Sequence, residues 1–311
     1  MSKFPSLLSQ FRSFYFKNGV SSETKFDNLE DAIEYFAVFG GMGWNVNMTQ
    51  ELDEIIQDKV LKNYRYIHGD ITKITQSNKL YHALLSAIAT GDRREHSAFK
   101  KAQVGRHDGE EAIDFLVDHD LLDKDKSQAK PLDTKEEVSQ KLLFTLPFMR
   151  FWFAAISPYY KSIKEGNFTE FFKAWQNLKP EFSHFIYERL VLELVKKSFE
   201  KSDPIQKIGS YWDADNALDI LAKTKSGKII AGTWKFSKSK AKKSELTKLK
   251  ATCEKIDLPA DIYLIFSKNG FSNELKSEKG ESLKLYTFKH LSTLMQDLSP
   301  SDIIEHTNKM Y

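Results

Sequence analysis

The sequence predicts a multi-domain α+β chain: a helical N-terminal region (1–78), a winged helix (79–146), an aromatic helical connector (147–180) and a C-terminal α/β domain with a central mixed sheet (181–311). Three observations predict it. Apolar residues recur at helical spacing in the first half, as at Leu80, Leu84, Leu85 and Ile88. Between residues 208 and 288, short β-prone runs are broken by turns and by one lysine-rich helical segment. The composition is 41% hydrophobic and 13% aromatic, which is ample for buried cores and excludes wholesale disorder. The 311 residues accommodate roughly two or three domains.

In the N-terminal region, Pro5 to Lys17 places Leu7, Leu8, Phe11, Phe14 and Tyr15 near helical spacing. Asp27 with Glu30 reads as a capping box for a helix running to Phe39, and Gly40-Gly41 stops it. A further helix is expected from Gln50 to Val60. In the next segment, Lys79 to Ala89 is an amphipathic helix ended by Gly91-Asp92. A basic helix follows at Ser97 to Gln103, and a third at Glu110 to His119 points Ile113, Leu116 and Val117 inward. A polar tip around Asp123 to Lys130 and a β-prone return at Lys141 to Leu146 complete it. Helix, helix–turn–helix and hairpin, in that order, make a winged helix.

Residues 147–180 are aromatic and helical, punctuated by Pro158 and Pro180; an inter-domain packing layer is the expected role. In the last region a helix is predicted from about Phe182 to Phe199, and strands at Ile208 to Trp212, Leu218 to Ala222 and Lys228 to Phe236. A helix at about Lys242 to Ile256 and strands at Ile262 to Phe266 and Leu283 to Phe288 follow.

Several function classes are disfavoured. The one cysteine, Cys253, excludes an intramolecular disulfide and a cysteine-based zinc site, and fits a reducing, cytoplasmic setting. The most apolar stretch, Leu142 to Ile156, holds 15 residues interrupted by Pro147 and Arg150. A membrane span needs about 20, so no membrane association is expected. There is no GxxxxGK[ST] loop, no GxGxxG after a strand and no HExxH. The eight histidines show no metal-ligand spacing.

Chemistry concentrates between Phe182 and Phe266. Glu188 lies on the first helix of this stretch, Asp219 on an otherwise apolar strand (ALDILA), and Thr233-Trp234-Lys235 on the next. A carboxylate on an apolar strand is costly without a partner or a metal. The hairpin puts Asp219 and Lys235 within possible reach of each other; the ordinary alternative is a charge at a strand end.

This pattern resembles the PD-(D/E)XK nuclease superfamily, and the flanks extend the resemblance. FGG at Phe39 to Gly41, LLSAIATGD at Leu84 to Asp92, RFWF at Arg150 to Phe153 and YERL at Tyr187 to Leu190 belong to it. So do IGSYWD at Ile208 to Asp213, LDILA at Leu218 to Ala222 and IFSKNGF at Ile265 to Phe271. Their order from about Phe39 to Phe288 resembles the C-terminal half of archaeal-type AAA/STAND ATPases, which carry a winged helix and a nuclease-like domain of unknown function 234. The ATPase segment is not in this sequence, so the resemblance implies a stand-alone relative that uses no ATP.

Carried over by position, the resemblance implies catalytic roles for Glu188, Asp219 and Lys235, with Asp219 and Glu188 as metal ligands. The family's two further acidic positions fall on Ala217 and Thr233. Mg²⁺ or Mn²⁺ sits in such a site because carboxylate oxygens offset its dehydration. Replacing a Glu by Thr removes a full charge, so the expectation is a degenerate, non-cleaving site with no cofactor. The alternative is an active Mg²⁺- or Mn²⁺-dependent nuclease whose missing acid is relocated to the next helix, with Glu245 the candidate. The plainer reading of Glu245 is a solvated helix residue.

Net charge is only +3, yet Lys223 to Lys250 holds ten lysines and one acid, Glu245, so this window is +9. Lys223, Lys225, Lys238, Lys240, Lys242 and Lys243 are the candidate contacts to a DNA or RNA phosphate backbone, in a salt-sensitive and sequence-poor mode. The winged helix gives a mixed signal. Its second helix is basic (Arg93, Arg94, Lys100, Lys101 and Arg106 in or near it). The would-be recognition helix carries Glu110, Glu111, Asp114 and Asp118 with no Lys or Arg. Phosphates repel such a helix, so it points to a protein partner or self-association. A regulatory interaction protein is therefore the third reading, beside the nucleic-acid binder and the active nuclease.

Overall fold

The computed structural model describes residues 5–20, 28–127 and 140–304. They fall into two compact units: the first from the described parts of 1–125, 140–186 and 297–311, the second from those of 126–139 and 187–296. The architecture is α+β. Among the described residues no helix is long and apolar enough to cross a membrane.

The first unit is mainly helical. Helix α1 spans Leu7–Tyr15 and buries Phe11 and Phe14. Helix α2 spans Leu29–Phe39. Asn28 caps it by accepting from the Glu30 and Asp31 amides; Asp27, the expected cap, lies outside the described residues. The helix stops at Gly40, as the Gly pair predicts. Gly41 has φ +86°, and a Cβ there would run into Leu146, so glycine is required twice over. The Gly40 carbonyl accepts from Phe148 N at 3.1 Å, so the FGG turn is tied to the start of the RFWF helix. Helices α3 (Leu52–Ile56) and α4 (Tyr64–Ile74) follow.

Helices α5 (Lys79–Ala89), α6 (Glu95–Ala102) and α7 (Arg106–Asp118) come next. An antiparallel pair, β1 (Leu122–Asp125) and β2 (Lys141–Phe144), completes the segment. Helix α7 begins four residues before the predicted start, because Gly105 serves as its N-cap and Arg106 pairs with Glu110 at 2.7 Å along the first turn. Its Ala112, Ile113 and Leu116 are buried, while Glu110, Glu111, Asp114 and Asp118 are exposed.

Helices α8 (Pro147–Phe151), α9 (Tyr160–Lys164) and α10 (Thr169–Phe199) follow. Helix α10 runs straight through Pro180, which was expected to end an element. Proline removes one helical hydrogen bond, but both flanks are held. Trp175 and Phe182 are buried 5.4 Å apart and both meet Phe151 edge-on. The Arg150 guanidinium lies 4.5 Å from the Phe182 ring. Asp53 accepts from Trp175 Nε1 at 3.0 Å and Gln176 Nε2 at 2.8 Å. Phe148, Phe151, Trp152, Phe153, Phe171 and Trp175 are thus core residues of the first unit.

The second unit is a five-stranded mixed sheet in the order β3-β4-β5-β6-β7. The strands are β3 (Ile205–Trp212), β4 (Ala217–Thr224), β5 (Ile229–Lys235), β6 (Ile262–Ser267) and β7 (Leu283–Thr287). The first three form an antiparallel meander, and β5, β6 and β7 run parallel. Helix α11 (Lys243–Lys255) connects β5 to β6, and the short α12 (Asn273–Ser277) connects β6 to β7. One face packs Leu221, Ile229 and Ala231 against Leu249, Cys253 and Ile256 of α11 and its end. On the other face, Tyr187 of α10 stacks on Phe236 and meets Phe288, and Tyr286 donates to Ser198 Oγ.

Candidate phosphate-binding edge and the Asp219–Lys235 hairpin

Asp219 sits at an irregularity in β4. Gly209 pairs with Leu221 and Tyr211 pairs with Leu218, so two steps on β3 face three on β4. The extra residue makes a β-bulge, which bends a strand and re-aims a side chain. Ser210 Oγ donates to the Asp219 carbonyl at 2.7 Å and holds the bulge.

The regular β4–β5 ladder ends at Ile220 paired with Gly232. Beyond it, Asp219 Oδ2 accepts from Thr233 Oγ1 at 2.6 Å and from Trp234 N at 3.1 Å. The carboxylate thus stands in for a ladder acceptor. This answers the cost of a carboxylate on an apolar strand with hydrogen bonds inside the hairpin. Thr233 is a donor to Asp219. A glutamate there would bring a second negative charge instead.

Lys235 finds its counter-charge elsewhere. Its Nζ lies 3.0 Å from Glu245 Oε1 in the first turn of α11, with the two side chains 24% and 26% exposed. Glu245 is therefore not a solvated bystander but the ion-pair partner of the hairpin lysine. Thr233 and Lys235 share strand parity with Ile229 and Ala231, so they point to the face α11 covers. Trp234 and Phe236 point to the face where Tyr187 packs. Glu188 follows Tyr187 on α10, the helix of that second face, and is half-buried.

Among the described residues, no group of three or more His, Cys, Asp or Glu side chains is placed to hold a metal ion. The chemistry of the donor set agrees: Thr233 supplies a neutral hydroxyl, Asp219 already accepts from Thr233 and Trp234, and the Glu245 carboxylate is already bonded to an ammonium. These residues do not fit a Mg²⁺ or Mn²⁺ centre.

Replacing Asp219 with alanine leaves the Trp234 amide and Thr233 hydroxyl without this acceptor. The expected loss is about 1–3 kcal/mol of stability, read as a lower urea midpoint at unchanged slope. Asp219→Asn keeps an acceptor oxygen, so its loss is smaller.

The lysines divide into two groups. Lys223 is half-buried on β4, and Lys225 and Lys228 flank the Ser226-Gly227 turn. Lys238, Lys240, Lys242 and Lys243 follow the far end of β5, about 20 Å away along a strand of this length. The single basic window in the sequence is thus two patches in space. At the far end the loop is firmly built. Lys268 N donates to the Lys235 carbonyl at 3.0 Å, and Asn269 Nδ2 donates to the Ser237 carbonyl at 2.9 Å. Ala241 exchanges two backbone hydrogen bonds with Gly270 and Ser272. Ala241 is fully buried and anchors the loop, while Lys238, Lys240 and Lys242 are exposed. Among the described residues none of these three is in an ion pair, whereas Lys243 is bound to Glu278 at 2.6 Å. The bulge, the Glu245 pairing and the split of the lysines carry no periodic signal in the sequence.

Residues 152–247 match the profile of domain of unknown function 234, described as archaea bacterial proteins of unknown function. The match covers less than half of the chain and includes the end of the RFWF motif, the Asp219–Lys235 hairpin and the basic loop. No curated protein and no solved structure matches the chain.

Proposed function

We propose that this chain is a nucleic-acid-binding protein whose C-terminal unit is a degenerate, non-cleaving PD-(D/E)XK nuclease-like domain. The observation that carries the reading is the arrangement at the end of β5. The would-be catalytic residues are engaged within the protein, Asp219 by Thr233 and Trp234 and Lys235 by Glu245. The neighbouring loop holds exposed lysines that are in no ion pair among the described residues. The profile match at 152–247 and the mixed sheet support the nuclease-like reading. Three helices followed by a β-pair support reading residues 79–146 as a winged helix. Its α7 presents acids outward, so in this reading it engages a protein or a second copy, and the unit-two loop engages the polymer.

The ligand is a phosphate backbone, DNA or RNA, read without base specificity. Binding of labelled single-stranded DNA, duplex DNA and RNA across a salt series tests this. Each lysine–phosphate contact adds about 0.7 to 0.9 to the slope of log affinity against log salt. Three contacts from Lys238, Lys240 and Lys242 give a slope near −2 to −3. Undetectable binding at low salt, or a slope of zero, refutes the proposal.

A further inference from the structure

The start of α11 carries a second feature. This helix is 13 residues long and its N-cap position is Lys242; among the described residues no side chain caps its first amides, and the Glu245 amide donates to the Lys242 carbonyl at 3.0 Å. Such amides present partial positive charge and favour an anion. Nearby, Ser267 at the end of β6 is fully buried, and among the described residues its hydroxyl has no hydrogen-bond partner. A buried hydroxyl in that state is uncommon and calls for an explanation.

Ser267 pairs in register with Lys235 across the parallel β5–β6 strands, so both side chains leave the same face. The start of α11 covers that face: Ile265, two residues before Ser267, clusters with Ala241 and Leu246. Glu245, beside Leu246, lays its carboxylate on Lys235 at the same spot. Lys235, Ser267 and the start of α11 thus lie on one face at the same end of the sheet, and an internal carboxylate is bonded to the ammonium.

We propose that Lys235, Ser267 and the first turn of α11 form an oxyanion site for one phosphate group, and that Glu245 is a plug the phosphate displaces. This rests on the phosphate-binding reading above and adds where one phosphate seats and what controls its entry. The arriving phosphate takes over the Lys235 ammonium and accepts from the Ser267 hydroxyl and the α11 amides. Glu245 turns to solvent, which its side chain already reaches. The phosphate belongs either to the polymer or to a free phosphate compound.

The test titrates the full chain with inorganic phosphate and, separately, with a single-stranded oligonucleotide. Glu245→Gln removes the competing charge at constant size. An ion pair of ordinary strength at such a partly exposed position corresponds to a factor of up to about fivefold in affinity. Phosphate therefore binds about two- to fivefold more tightly to Glu245→Gln, and adding Ser267→Ala cancels the gain. Ser267→Ala alone weakens phosphate binding, which keeps the test open if Glu245→Gln folds poorly. Phosphate affinity unchanged by both substitutions overturns the proposal. The two readings fail differently. If free phosphate responds to Glu245→Gln but the oligonucleotide does not bind, the plug stands and the polymer reading falls. If loop lysines govern oligonucleotide binding but neither probe responds to Glu245→Gln, the polymer reading stands and the plug falls.

Discussion

Reversing Lys238, Lys240 and Lys242 to glutamate together abolishes oligonucleotide binding at physiological salt, a loss of about 100-fold or more. Three contacts vanish and three repulsions replace them, and polyphosphate binding is dominated by such terms. The three side chains are exposed and free of ion pairs among the described residues, so the folded state loses no partner. Stability should stay within about 0.5 kcal/mol of wild type. The control comes from the other lysine group. Lys225→Glu with Lys228→Glu, at the opposite end of β5, changes affinity by less than about threefold at the same salt. Fluorescence anisotropy with one labelled strand, alongside thermal melting of each variant, reads both expectations. Equal losses from the two sets would mean that the lysine window acts as diffuse charge and not as a local edge.

The largest stability effect is expected in the other unit. Phe151→Ala should cost about 3–5 kcal/mol. Phe151 is fully buried, and four aromatic rings surround it: Phe148 at 6.2 Å, Phe171 at 6.3 Å, Trp175 at 5.1 Å and Phe182 at 6.0 Å. Removing the ring leaves a cavity that no single neighbour can fill, because each is already held. Trp175 is tied to Asp53 through its indole nitrogen, and Phe182 carries the Arg150 guanidinium. The variant also removes the packing that holds α10 on both sides of Pro180. Denaturant unfolding of the first unit should therefore shift to a far lower midpoint. A cost below about 1 kcal/mol would show that the cluster repacks.

Much of this fold was legible as periodicity. The Lys79–Ala89 helix matches its prediction, and five C-terminal strands appear in the predicted order because β-branched runs and turn residues punctuate them. The misses share a cause. Pro180 reads as a boundary by local rules, but buried aromatics on both sides outweigh one lost hydrogen bond. The Asp27 and Glu30 pairing reads as a capping box, yet Asn28 takes the cap. In both cases a neighbour's packing or register decides, and register is invisible in a list of propensities.

The site divides the same way. Asp219, Thr233 and Lys235 stood out as polar residues on apolar strands, and the structure brings Asp219 and Thr233 into direct contact. That Asp219 turns into the hairpin follows from a bulge, which is one extra residue in a strand and leaves no pattern. That Glu245 reaches Lys235 follows from the length of the loop before α11. In the sequence, Glu245 is a candidate only through the resemblance. Lys223, Lys225 and Lys228 are separated from Lys238, Lys240, Lys242 and Lys243 because β5 lies between them.

The most direct test of the account is a cleavage assay. Wild type and Lys235→Ala are incubated with single-stranded DNA, duplex DNA and RNA in Mg²⁺, in Mn²⁺ and in EDTA. The account predicts salt-sensitive binding with every substrate intact under every condition. Metal-dependent cleavage that disappears in Lys235→Ala would contradict it, and would mean that a working metal site forms beside Lys235.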